Sequence, residues 1–204
     1  MRSWFPVRLA LVLALASCAE PAQVALEPEG GAPEAERFKL EPAEAVPGTD
    51  VLMIRVRADA SRRDRRMSSY SSGKTAYRNV VFFDAGTGRS EPLFPANAQI
   101  VWRSEIVTMT ERGRSGPALM IAHEVTGEDT NADGSLSDAD AQEIVLTGPS
   151  GAERADPLPG RLRRAHVTEE GTVVLMMETG EGLRAVFVAP DLTVTRTVPI
   201  PLPQ

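Results

Sequence analysis

Short apolar runs, rich in β-branched and aromatic residues, recur along the chain from about residue 50 onward. They read "VLMIRV" from Val51, "NVVFF" from Asn79, "QIVW" from Gln99, "EIVTMT" from Glu105 and "ALMIA" from Ala118. "EIVLT" from Glu143, "TVVLMM" from Thr172, "AVFVA" from Ala185 and "LTVTRTV" from Leu192 follow. Between them stand turn clusters, notably "AGTG" at Ala85, "GPSG" at Gly148 and "TGEG" at Thr179. Runs this short, bounded by glycine-rich turns, are strands. No window longer than about ten residues keeps a helical period. The pattern predicts one all-β domain over 49–204, long enough to bury a core of its own.

Some of these segments echo one another. "VVFFDAGTGRSEPLFP" (80–95) is similar to "EIVLTGPSGAERADPLPG" (143–160): an apolar strand, a glycine-bounded turn, a polar strand, then Pro-Leu. "VFVAPDLTVTRTVPIP", from Val186, is a looser third copy. Repeated hairpins of this kind resemble the blades of β-propellers. Three copies fall short of the roughly four blades that a closed propeller needs. The expected architecture is therefore a set of antiparallel β-meanders, either a partial propeller or a sandwich.

The N-terminal text differs in kind. "MRSWFPVRLALVLALAS" (1–17) carries two arginines, no acid and an apolar core too short to span a bilayer, the composition of a signal peptide. Its end, "LASC", resembles the lipobox of bacterial lipoproteins, in which the cysteine is lipidated and becomes the new amino terminus. Cys18 is the one cysteine of the chain, so it has no partner for an internal disulfide. Several acyl chains on it would hold the protein durably at a membrane. Ala19 follows, and the resemblance then implies the outer membrane. Residues 18–48, rich in Pro, Glu, Ala and Gly, are expected to form a disordered tether.

Charge narrows the partners. Without the two arginines of the signal, 20 basic residues face 28 acidic ones, a formal charge of −8. That balance disfavours nucleic acid. The lipoprotein resemblance implies the membrane, through the lipid anchor, and an unidentified envelope protein or glycan as partners.

The most pointed chemistry lies in "DTNADGSLSDAD" (129–140). The EF-hand loop supplies calcium ligands from its first, third, fifth, seventh, ninth and twelfth residues, with glycine sixth. Here those places hold Asp129, Asn131, Asp133, Ser135, Ser137 and Asp140, and Gly134 is sixth. Ser135 would contribute its carbonyl and Ser137 a hydroxyl or a bridging water, while Leu136 would pin the loop to the core. Strand-like flanks replace the EF-hand helices, so the stretch resembles the "DxNxDG" loops of dockerins and of bacterial exported β-proteins. Dockerins carry two such loops on helices and this chain has one, so no cohesin partner is implied. Aspartate stands where the template has a bidentate glutamate, which makes Asp140 the least typical ligand. An asparagine- and aspartate-rich turn, stabilised by local hydrogen bonds alone, is the alternative reading. Calcium (Ca2+) inserted between strands is the expectation, with the weak affinity of extracellular modules, about 10⁻⁴–10⁻³ M.

Elsewhere the chemistry is sparse. His123 and His166 lie in strand-like text without a nucleophile elbow or a zinc pattern, and are read as packing or surface residues. A non-catalytic module is expected; the alternative is an envelope hydrolase, for glycan or ester, using a carboxylate pair. A polar loop from Arg57 clusters Arg62, Arg63, Arg65 and Arg66, a candidate patch for an anionic partner.

Overall fold

The computed structural model describes residues 37–58, 76–111 and 114–201. The signal, Cys18 and the four arginines 62, 63, 65 and 66 lie outside the described residues.

Thirteen strands and no helix are present among the described residues. They form three antiparallel sheets in chain order. Sheet I holds β1 (Phe38–Leu40), β2 (Glu44–Ala45), β3 (Val51–Ala58), β4 (Asn79–Asp84) and β5 (Ser90–Pro92). β1 and β2 pair with successive parts of β3, like one edge strand interrupted around Pro42, which has no N–H to donate. Sheet II holds β6 (Ile100–Glu111), β7 (Arg114–Thr126), β8 (Glu143–Thr147) and β9 (Leu158–Pro159). Sheet III holds β10 (Arg161–Val167), β11 (Val173–Thr179), β12 (Gly182–Val188) and β13 (Val194–Pro199). Each is a meander of the kind from which propeller blades are built, and the three leave the stack open.

The sequence echoes fall on equivalent places. They mark the last hairpin of every sheet: β4–β5, β8–β9 and β12–β13. Aspartates brace the first and third of these turns, Asp84 accepting the Gly86 N–H at 2.8 Å and Asp191 the Thr193 N–H at 3.0 Å.

Two cores separate the sheets. Met53, Phe82 and Leu93 of sheet I and its outgoing loop meet Ile121, Val125 and Val145 of sheet II. On the other side of sheet II, Met120, Ile144 and Leu146 meet Leu175, Met177 and Val186 of sheet III. Successive residues of β7 and β8 thus enter opposite cores. That is why "ALMIA" and the "IVL" of "EIVLT" are continuously apolar instead of alternating.

Three boundaries differ from the sequence expectation. The domain begins before the expected end of the tether: β1 and β2 lie within 38–45, and Val46 is 1% exposed in the first core. The Ala118 N–H donates to the Pro47 carbonyl at 2.8 Å, tying this segment to sheet II. "QIVW" and "EIVTMT" belong to one strand, β6, whose register shifts between Val101 and Arg103 accommodate the polar interruption. β10, "RLRRAHV", was hidden by its arginines; it is an edge strand burying Leu162 alone.

Candidate metal site and buried polar strip

The loop 127–142 joins β7 to β8, and the pairing of Val125 with Glu143 closes its base. Its acids are held by backbone donors. Asp129 accepts the N–H groups of Asp133 at 3.2 Å and Gly134 at 2.7 Å, one on each carboxylate oxygen. Asn131 Oδ1 accepts the Asp133 N–H at 2.9 Å, and Asp133 Oδ1 accepts both the N–H and the hydroxyl of Ser135 at 2.9 Å. Ala132 and Gly134 take φ values of 58° and 86°, which turn the chain so that these N–H groups point inward.

Asp140 organises the rest. One of its oxygens accepts the N–H groups of Thr130 and Asn131 at 2.9 and 3.1 Å; the other accepts the Ser137 N–H at 2.8 Å. The Ser137 hydroxyl donates to it at 3.2 Å. It is 3% exposed, whereas Leu136, expected to pin the loop, is only half-buried. Burial would push its carboxyl upward, but these donors outweigh it and hold the pKa below the ordinary 3.8. Thr130, which the ligand spacing does not single out, also accepts the Ala141 N–H on its hydroxyl at 2.8 Å.

The surroundings are acidic and open. Burial first, and then the charge of Glu128, raises the carboxyl of Glu143 above 4.5. An open groove of about 450 Å³ runs beside the loop, lined by Asp140, Gln142, Arg161, Arg163 and Glu178. Arg161 donates to the Asp138 carbonyl and so fastens the loop to sheet III, and Arg163 pairs with Glu178. Gln142, which lines the groove, has its Oε1 buried without a hydrogen-bond partner.

The donor set suits a hard cation. The side-chain oxygens of Asp129 and Asn131 each accept one N–H and keep a second lone pair, whereas Asp133 Oδ1 and both oxygens of Asp140 already accept two donors or more. Among the described residues, no three His, Cys, Asp or Glu side chains stand together as a group able to hold a metal. The loop's ordered feature is its backbone scaffold, and the same bonds are those of an asparagine- and aspartate-rich turn.

A second polar set lies inside sheet II. His123, fully buried, has Nδ1 2.9 Å from the Ser104 hydroxyl and Nε2 3.2 Å from the Thr147 hydroxyl. The chain Ser104–His123–Thr147 crosses β6, β7 and β8, and the ring of Phe82 meets the imidazole edge-on at 6.0 Å. Burial, with the charges of Arg154 and Arg55, lowers the pKa of His123 to about 3, so it is neutral. Thr147 ending a buried apolar run was the sequence signal for this strip. His166 is exposed on β10.

No family model, curated protein or solved structure matches this chain.

Proposed function

We propose that the chain is a membrane-anchored lipoprotein whose β domain, stabilised by calcium, acts as a non-catalytic binding or structural module at the cell envelope. The observation that carries this reading is the loop 129–140. Its oxygen-bearing side chains stand at calcium-loop spacing on a scaffold of backbone donors. Asp129, Asn131 and Asp133 would hold the ion through side chains, Ser135 through its carbonyl and Ser137 through a hydroxyl or water, and Asp140 would join them by exchanging some of its present donors for the ion. The ion would offset the repulsion among Glu128, Glu143 and the loop acids and tie β7 to β8. Cys18 would supply the lipid anchor, and an envelope protein or glycan the partner.

The hydrolase alternative needs two available carboxylates facing one cleft. The groove beside the loop has Asp140 and Glu178 in its lining, but Asp140 is 3% exposed and Glu178 is paired with Arg163.

The test is calorimetric titration of calcium into the full chain in detergent, with melting followed in parallel. At ten times a Kd of about 1 mM, binding should stabilise the fold by about 1.4 kcal/mol. Asp133→Ala should lower the melting temperature only when calcium is present. Equal melting with and without several millimolar calcium would reduce the loop to a polar turn. Cys18→Ser should release the protein from membranes, and continued sedimentation with them would remove the anchor.

A further inference from the structure

The outer face of sheet III sorts its residues by strand. Leu175 and Val186 enter the second core, so the alternate residues of β11 and β12, Val174, Met176, Ala185 and Phe187, face away from it. Registered beside them on β10 are Arg164, next to Met176, and His166, next to Val174. On β13, Arg196 lies next to Phe187 and Val198 next to Ala185. The face is therefore mostly apolar along its two middle strands and carries its arginines on the two edge strands. Arg161 extends the basic edge of β10 beside Glu178 of β11, and Arg163, in the bulge of β10, pairs with that glutamate. Glu178 is the one acid in the strands of this sheet; Glu169, Glu170, Glu181 and Asp191 stand in its turns.

Two of these arginines are open to a ligand. Arg164 and Arg196 are exposed, and among the described residues neither pairs with a carboxylate. The Arg196 guanidinium lies over the Phe187 ring, 3.9 Å from its centroid. Stacking occupies the flat face of the guanidinium and leaves the N–H groups around its rim for oxygen acceptors. Arg161 and Arg163, held by the Asp138 carbonyl and by Glu178, add to the field of the face.

Four arginines against one glutamate make this face positive on a chain whose formal charge is −6. Its complement is anionic. Arg164 and Arg196 stand on opposite edges, three strand spacings or about 14 Å apart, too far for one small anion to bridge. Between them Val174, Met176 and Phe187 form a half-buried apolar floor, which loses water without stranding a polar group. A complement that is wide, flat and anionic, with an apolar layer beneath its charges, is a lipid surface.

We propose that the outer face of sheet III docks on anionic lipid, with Arg164 and Arg196 on headgroup phosphates and the apolar floor against the headgroup layer. Each arginine at such a surface strengthens partitioning about fivefold. A contact this weak does not hold the chain at a membrane without an anchor; it fixes which side of the domain the membrane meets. That setting rests on the lipid anchor proposed above, whereas the face itself depends neither on Cys18 nor on calcium.

Cosedimentation with sucrose-loaded vesicles is the test. It uses the unlipidated mature chain, residues 18–204 with Cys18→Ser, which contains the whole compact unit 36–204. At low salt phosphatidylglycerol-rich vesicles should bind it and phosphatidylcholine vesicles should not, and about 0.5 M salt should abolish the difference. Arg164→Glu with Arg196→Glu should weaken partitioning by more than about 25-fold. Arg37→Glu with Arg89→Glu, the same charge change outside sheet III, should weaken it by less than about fivefold. Equal losses from the two pairs would trace binding to net charge and overturn the proposal. So would equal binding to both kinds of vesicle, or binding to neither. Tighter binding to soluble polyglutamate than to vesicles of equal charge would also overturn it, and assign the face to an acidic protein. Should the glutamate pair lose its far-ultraviolet circular dichroism, Arg164→Gln with Arg196→Gln puts the same question, with a loss of about 25-fold expected. The anchor is read separately, from sedimentation of the lipidated full chain, so either idea can fail while the other stands.

Discussion

Strand β8 runs between two polar regions that keep their polar groups satisfied in opposite ways. At its start, the loop 127–142 surrounds carboxylates with backbone N–H groups near solvent, with Asp140 as the buried hub. At its end, Thr147 belongs to a strip in which a neutral histidine is satisfied by two hydroxyls and sealed by Phe82. The loop favours the charged form of its central group; the strip favours the uncharged form. The difference teaches that one strand pair can carry a carboxylate loop braced by backbone donors at one end and a buried, uncharged polar strip at the other.

Two glycines make that comparison sharp, because their backbones are alike and their surroundings are not. Gly151, at φ 80°, packs on Phe82: a Cβ there would stand 2.2 Å from the ring. Gly134, at φ 86°, has open space around its missing Cβ. Gly151→Ala should have the largest effect, a loss of about 4 kcal/mol from overpacking and left-handed strain together, read by urea unfolding. It would displace the Phe82 ring, which meets His123 edge-on, and should leave any response of melting to added calcium unchanged.

Acid comes next. The folded pKa of His123 lies at about 3, below its ordinary 6.5, so the unfolded chain binds the proton first. Stability is then complete above 6.5 and falls with pH from there toward about 3. The slope is about 1.4 kcal/mol per pH unit, or roughly 3 kcal/mol by pH 4. Asp140, also lowered, withdraws its contribution only below 3.8, outside that window. Glu143 has the opposite sign, since its raised pKa makes the fold gain as it protonates. His123→Gln should flatten the unfolding free energy between pH 6.5 and 4, and Asp140→Asn should leave that slope as it is. An unchanged slope in His123→Gln would show that the strip is not the acid-sensitive element.

The smallest effect belongs to the loop. Gly134→Ala should cost about 1 kcal/mol, from left-handed strain without a clash, and thermal unfolding would show it. A cost matching that of Gly151→Ala would erase the contrast between the two regions.

Much of this was legible beforehand. The all-β class, the strands beginning near Val51, Asn79, Glu143 and Val173, and the repeated hairpins all follow from short-range periodicity, which the chain carries locally. The loop's spacing is local too. What stayed hidden depends on partners distant in sequence. β10 is an arginine-rich strand because β11 offers it an edge, and β1 and β2 are strands because β3 does. Asp140 looked the least typical ligand, yet it is the buried hub, since Thr130 and Asn131 are folded back onto it across ten and nine residues.

By itself, then, the sequence determined the all-β class, most of the long strands, the turn positions and the polar ligand spacing, because each depends on neighbours within a few residues. Tertiary structure alone decided that Ser104, His123 and Thr147 meet, that sheet II is covered on both faces, and which acid the loop closes upon. Those outcomes rest on pairing across loops, whose closure no local pattern encodes.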